Sequence, residues 1–167
     1  LERQRSQPCL GQILQQQART DTSGFEDDGQ AAAGVGATAN QVHSVELLEP
    51  KDFPTLKKHD LVCAMVSNPT VDGLGGIAKA WNRVEHHDKL VSAYESRLRE
   101  VADAGFPNLI CLSGNRAGLD DQKGLENCVI GLKRIAPLAE KHKVTLCLEL
   151  LNSKRNHKDY MCDHTAW

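Results

Sequence analysis

The sequence has few aromatic residues, no long apolar run and no excess of charge of either sign. Phe, Trp and Tyr together make up 4% of the 167 residues. Nothing approaches the run of about 18 apolar residues that a membrane-spanning helix needs. Lys and Arg number 20 against 22 Asp and Glu, a net charge of −2. That balance leaves no electrostatic footprint for nucleic acid or an anionic membrane. The six cysteines, Cys9, Cys63, Cys111, Cys128, Cys147 and Cys162, include no pair at the C-x₂-C spacing of a zinc or redox site. There is no G-x-G-x-x-G, Walker loop, G-x-S-x-G elbow or H-E-x-x-H helix. Dinucleotide binding, P-loop chemistry, serine hydrolysis and zinc proteolysis therefore leave no mark.

What is present is an ordinary globular composition, 40% hydrophobic and 25% charged. The length suits one domain with a core. It is too short for a complete (β/α)₈ barrel, which takes about 250 residues. Cys63, Cys111 and Cys147 each sit in an apolar run, where a free thiol behaves as a small hydrophobe, so a disulfide framework is not expected. Residues 1–42 hold Gln15-Gln16-Gln17, the acidic turn Glu26-Asp27-Asp28-Gly29 and the small-residue run Ala31–Ala39. They read as a poorly ordered leader without the basic start, apolar block and cleavage site of a secretory signal.

From residue 43 the pattern changes. His43–Leu48, Leu61–Ser67, Asn108–Ser113 and Val144–Leu151 are short apolar runs that suit parallel strands buried on both faces. Helical patterns lie between them: a short one over Pro54–His59, one from about Arg83 to Ala104 and one from about Asp121 to His142. The second carries Val84, His87, Leu90, Val91, Tyr94, Leu98 and Val101 on one stripe. The third spaces Leu125, Val129, Leu132 and Leu138 for one face, with Asp120 or Asp121 as its N-cap and Pro137 as a predicted kink. Strands alternating with helices imply right-handed βαβ units, a parallel sheet and the α/β class.

Three polar features do not belong in a core. On a strand over Val144–Asn152, Leu146, Leu148 and Leu150 share one face, and Thr145, Cys147 and Glu149 the other. An ionised carboxylate there is costly unless paired or bound to metal, and ligands gather at the C-terminal ends of parallel strands. Glu149 is thus the candidate catalytic or metal-binding residue; a buried ion pair with a residue such as Lys154 is the alternative. The third strand exits into Ser113-Gly114-Asn115-Arg116, where Asn115 and Arg116 could bond a polyol or an anion, or simply form a turn. In His86-His87-Asp88 the adjacent rings diverge on a helix, one toward the core or site rim and the other toward solvent. Glu46, His157 and His164 read as structural or surface residues, and Gly73-Leu74-Gly75-Gly76 is a weak phosphate signal.

Several segments resemble hydroxypyruvate isomerase-like proteins of the xylose isomerase-like superfamily of sugar isomerase and epimerase TIM barrels. They are Ser44-Val45-Glu46-Leu47-Leu48-Glu49-Pro50, Asn82-Arg83-Val84-Glu85-His86-His87-Asp88 and Phe106-Pro107-Asn108-Leu109-Ile110-Cys111-Leu112-Ser113-Gly114-Asn115-Arg116. Gly124-Leu125-Glu126-Asn127-Cys128, Leu148-Glu149-Leu150-Leu151-Asn152-Ser153-Lys154 and Asp163-His164-Thr165-Ala166-Trp167 follow in the same order. The resemblance covers residues 43–167. It implies a partial TIM barrel, truncated after about the fifth strand, with Glu149 at the end of that strand. There it implies a ligand for Mn²⁺ or Mg²⁺ that joins proton transfer, with Asn115 and Asn152 lining the substrate pocket. The other ligands it implies, an Asp, a His and a second Glu, would lie beyond residue 167. The chemistry implied is isomerisation or epimerisation of a small sugar or hydroxy-keto acid, with the metal polarising oxygens and carboxylates moving a proton through an enediolate.

The resemblance is incomplete. Thr20–Gln41 does not read as the family's first strand and helix, and Arg155 follows the fifth strand where related epimerases can use a carboxylate. The expectation is a cytoplasmic enzyme without nucleic-acid or membrane partners, able to form a homo-oligomer as a complete barrel and inactive as the isolated chain. A barrel endonuclease of abasic DNA is the weaker alternative, since Ser67-Asn68 and Ser113-Gly114-Asn115 supply no His at the early strand ends. A non-catalytic, sugar-binding barrel fragment is the other.

Overall fold

Four strands, all parallel, lie side by side in sequence order: β1 (Ser44–Leu48), β2 (Val62–Val66), β3 (Asn108–Cys111) and β4 (Thr145–Leu148). This is a computed structural model that describes residues 43–167. The expected leader and Cys9 lie outside the described residues. Helices α1 (Phe53–Lys58), α2 (His87–Ala104) and α3 (Asp121–His142) alternate with the strands. Each connection returns the chain to the same end of the sheet, as a parallel pair requires. The α/β expectation is borne out.

The strands are shorter than the apolar runs that announced them. β4 ends at Leu148, so Glu149 is the first residue beyond it, although its N–H still donates to Cys111 O at 2.9 Å. Leu146 and Leu148 pack toward the helices as the alternation predicts, while Leu150 is exposed because the strand has already ended. Burial on both faces holds for β3 and fails for β1. Ser44, Glu46 and Leu47 are exposed, Leu47 has φ 57°, and the β1–β2 register shifts twice. Among the described residues β1 has one strand neighbour, so half of its ladder lacks a partner to hold it regular.

α2 follows its predicted stripe. His87, Leu90, Tyr94, Leu98 and Val101 are buried, and Gly105 ends the helix in the left-handed conformation. Its first predicted turn, Val84–His86, is a 3₁₀ turn, and Val84 is exposed. α3 is capped by Asp120, which accepts from the Lys123 N–H at 3.0 Å, and it runs on through Pro137.

The buried face of α3 differs from the one the leucines and Val129 suggest. It consists of Gly124, Asn127, Cys128, Gly131, Ile135 and Ala139, while Val129 and Ile130 are exposed. Leu132 and Leu138 still pack part-buried against the core, and close approach explains why the glycines lie at the centre of the buried face. A Cβ on Gly131 would lie 2.6 Å from Trp81 Cε3 and 2.8 Å from His87 Nε2, and one on Gly124 would collide with the Met161 thioether. Large side chains fill the space that side chains on the helix would otherwise occupy. Trp81, Tyr94, Leu90, Leu98, Leu109 and Ile135 lie at the centre of the core, fully buried. Each contributes about 1.5–3 kcal/mol of transfer free energy. Five of the six cysteines are free and buried.

Candidate functional site

The C-terminal ends of β3 and β4 meet under one segment, Asn152–Asp163. β3 gives way to Ser113 and then Gly114, whose φ is 103°. A side chain at Gly114 would be strained by that φ and would collide with Asn82 Oδ1, so the turn requires glycine. Asn82 is fully buried; its N–H donates to Ser113 O at 2.7 Å and its Nδ2 to Asn115 O at 2.6 Å. Sequence reasoning singled out Asn82 only through the resemblance. A polar residue between Trp81 and Arg83 in a long loop carries no periodic signal of its own.

Asn115 is part-buried, and its side-chain amide has no hydrogen bond among the described residues. It is free to meet a ligand at the mouth of the sheet. Arg116 is not. Its Nε lies 2.6 Å from Asp121 Oδ1 and its Nη2 3.4 Å from Asp163 Oδ2, and it also donates to the carbonyls of Tyr160 and Met161. Asp121 is the main reason its pKa is raised further. The suggested role of Arg116 in holding an anion is corrected: its charge is already spent on two carboxylates of the chain.

Glu149 is half-buried. Its backbone N–H bonds Cys111 O and its carbonyl accepts from the Tyr160 hydroxyl at 3.1 Å. Its carboxylate has no hydrogen bond or ion pair among the described residues, and Lys154, the expected alternative partner, does not pair with it. Burial pushes the carboxyl pKa up, and His157 opposes this in part. A carboxylate raised by burial is a stronger proton acceptor than an exposed one.

Asn152 is exposed, and its Oδ1 accepts from the Lys154 N–H at 3.0 Å, closing a local turn that continues to His157. Its acceptor is thus engaged and its amide N–H₂ remains open. The structure therefore gathers Glu149 and Asn115 at adjoining strand ends and puts Asn152 on the outer turn. His87 is buried against Trp81 O at 2.9 Å, and His86 is part-buried on Ala80 O at 3.0 Å, so both rings are engaged away from Glu149. His164 pairs with Asp163 at 2.6 Å. A cavity of about 270 Å³ lies elsewhere, on the helix side of β4 between Leu146, Leu148 and the α3 residues Val129, Leu132, Lys133 and Ala136. By strand alternation Glu149 belongs to the opposite face.

Among the described residues no three His, Cys, Asp or Glu side chains converge to hold a metal ion. Glu149 by itself is a single donor, and one carboxylate does not enclose a divalent cation, which takes six or more oxygen ligands as Mg²⁺ or Ca²⁺. The described residues thus do not form a metal site.

No family model matches the chain, and no curated protein matches it. Solved structures do. The AP endonuclease, family 2, from Brucella melitensis is 25% identical, with a TM-score of 0.55 over 71% of this chain and 48% of that one. A D-tagatose 3-epimerase-like protein is 13% identical, with a TM-score of 0.50 over 68% of this chain and 45% of that one, a likeness of fold alone. A mannonate dehydratase from Streptococcus suis serotype2 also matches, at 15% identity and a TM-score of 0.43. The two neighbours with TM-scores of 0.50 or more are thus an AP endonuclease of family 2 and a D-tagatose 3-epimerase-like protein. The four parallel strands and their alternating helices are accordingly a partial TIM barrel. The chain spans about half the length of the solved structures it matches.

Proposed function

We propose that the complete barrel to which these residues belong is a sugar or hydroxy-keto-acid isomerase, of the hydroxypyruvate isomerase-like kind. The observation that carries this is Glu149, a half-buried carboxylate with a raised pKa and no partner among the described residues, at the end of a parallel strand. Such a group suits removal of a proton from the carbon next to a carbonyl. In that step the C–H proton passes to a Glu149 oxygen, and the electron pair moves into an enediolate. Return of a proton to the neighbouring carbon, with the hydroxyl proton passing from one oxygen to the other, gives the isomer, and return to the same carbon from the other side gives the epimer. Asn115, with its free amide, would hydrogen-bond a substrate hydroxyl, and Asn152 would contribute its amide N–H₂ from the outer turn. The reading includes an Mn²⁺ or Mg²⁺ requirement, with Glu149 as one ligand and the others outside the described residues.

The partner is a small-molecule substrate rather than nucleic acid or membrane, and the complete barrel can form a homo-oligomer. Five buried free thiols suit a reducing compartment such as the cytoplasm. No described helix is long and apolar enough to cross a membrane. The test is Glu149→Gln in a complete barrel carrying these residues. Conversion of hydroxypyruvate to tartronate semialdehyde should fall by at least about 10²-fold, the usual contribution of a positioned acid–base group. Intact turnover would remove Glu149 from the chemistry. The 167-residue chain alone should show no turnover with added Mn²⁺.

The 25% identity to a solved family 2 AP endonuclease favours a second reading, cleavage at abasic DNA. The residues at the ends of β2 and β3, Ser67-Asn68 and Ser113-Gly114-Asn115, favour the isomerase over this reading because they offer amides and hydroxyls rather than imidazoles. Incision of an abasic-site oligonucleotide, in place of hydroxypyruvate turnover, would reverse the order of the two.

A further inference from the structure

We infer that Tyr160 is a positioning residue, its hydroxyl holding the carboxylate-bearing residue Glu149 in place against the Ser113–Asn115 turn. The inference rests on the reading of Glu149 as the carboxylate of the site. β3 ends at Cys111 and β4 at Leu148, so the Ser113 N–H and the Glu149 carbonyl lie beyond the regular ladder. One hydroxyl serves both. Tyr160 Oη accepts from Ser113 N–H at 3.0 Å and donates to Glu149 O at 3.1 Å.

Only a residue that accepts and donates from the same atom can bridge these two groups, and phenylalanine of the same shape cannot. Tyr160 is 0% exposed, packed with Ala80, Leu112 and Cys162, so water does not substitute for it. Burial drives its phenol pKa upward, which keeps the donated proton in place.

The strap carrying Tyr160 is held by several other bonds. Met161 N–H donates to Gly114 O at 3.0 Å, Cys162 N–H to Ser113 Oγ at 3.0 Å, and Leu151 N–H to Cys162 O at 3.2 Å. These bonds keep the strap docked when the hydroxyl is removed. The loss from Tyr160→Phe should therefore be local, falling on the link between Ser113 and Glu149.

The test is carried out on the full 167-residue chain by NMR. In Tyr160→Phe, with the far-UV dichroism retained, amide exchange at Ser113 should rise about tenfold, the effect of one lost hydrogen bond. The Glu149 carbonyl ¹³C resonance should move upfield. Hydroxypyruvate, used as the probe at millimolar concentration, should perturb Glu149 and the Asn115 side-chain amide in the wild type, and bind several-fold more weakly to the variant. Met161→Leu perturbs the same strap but leaves the hydroxyl and every backbone bond in place, and it should leave the Glu149 carbonyl and probe affinity unchanged.

Wild-type exchange at Ser113 and an unmoved Glu149 carbonyl in Tyr160→Phe would overturn the inference. Equal weakening of the probe by Met161→Leu would do the same. A wild-type chain in which the probe touches neither Glu149 nor Asn115 would instead sink the reading of the site. The carbonyl and exchange data would then still decide what Tyr160 does. Should Tyr160→Phe fail to fold, the wild type supplies the decision: the slowly exchanging Tyr160 hydroxyl proton should show a nuclear Overhauser contact to the Ser113 amide, and its absence refutes the bridge.

Discussion

On one flank of α3 the helix backbone lies against Trp81, His87 and Met161, with glycines at the points of contact. On another flank Val129, Leu132 and Ala136 border a cavity of about 270 Å³, with Leu146 and Leu148 across from them. The closed flank carries glycines at its points of closest contact, whereas the open flank presents Val129 and Leu132. Hydrophobicity alone would assign these flanks the other way round. What decides burial here is the size of the neighbour: where an indole, an imidazole and a thioether come in from other elements, the helix must contribute little volume of its own.

Gly131→Ala is the strongest way to break this comparison. Alanine is the better helix former by about 1 kcal/mol, and on an open flank it would stabilise. At Gly131 its Cβ meets Trp81 at 2.6 Å and His87 at 2.8 Å, and both of those side chains are fully buried. Neither can swing aside into solvent, so overpacking of about 1–3 kcal/mol outweighs the propensity gain. Chemical denaturation should show a net loss of about 1–2 kcal/mol. A gain would mean that α3 stands further from Trp81 than the structure has it.

A smaller effect belongs to the ion-pair cluster that ties the start of α3 to the strap. Asp163 lies 2.6 Å from His164 Nδ1 and 3.4 Å from Arg116 Nη2, and Arg116 in turn holds Asp121 in the first turn of the helix. The His164 hydrogen bond, then that of Ser153, holds the Asp163 carboxyl down to about 2 from 3.8. A depressed carboxylate stabilises the fold at any pH above its unfolded value, and that contribution is lost as pH falls from 3.8 through about 2. Asp163→Asn should cost up to about 1 kcal/mol near neutrality. It should also flatten the acid limb of the unfolding curve in that window. An unchanged acid limb would show that the cluster contributes nothing to the closed flank.

Much of this was legible in the sequence because period and cap act locally. The α2 stripe from His87 to Val101, the Asp120 cap and the four apolar runs each follow from a few neighbouring residues. Glu149 stood out for the same reason, a carboxylate interrupting an apolar alternation. What escaped was set by residues far apart in the chain. Arg116 reads as a free cation until the fold turns Asp121 onto it and brings Asp163 from 47 residues away. Asn82, Tyr160 and Met161 have no local pattern, because their partners are Ser113, Glu149 and Gly124 on other elements. The buried face of α3 is of this kind too. Its glycines were visible, but the bulky side chains that require them were assigned to no partner. The candidate site was therefore half readable: the carboxylate and the turn, but not the strap that joins them.

The smallest expected effect falls on the solvent side of α3, away from both flanks. Ile130 is 50% exposed and adjoins Gly131 in sequence, yet it points away from the crowded side. Ile130→Ala removes side-chain carbons that are half hydrated already and replaces a β-branched residue with the best helix former. The two terms oppose each other at a few tenths of a kcal/mol, so the unfolding midpoint should stay within about 0.5 kcal/mol of wild type. Alanine at two consecutive positions of one helix should thus cost nothing at the first and about 1–2 kcal/mol at the second. A loss above about 1 kcal/mol at Ile130, measured in the isolated chain, would mean that its side chain is covered in solution. The side of α3 that carries Ile130 would then be closed as well, and residue size would no longer tell inside from outside on α3.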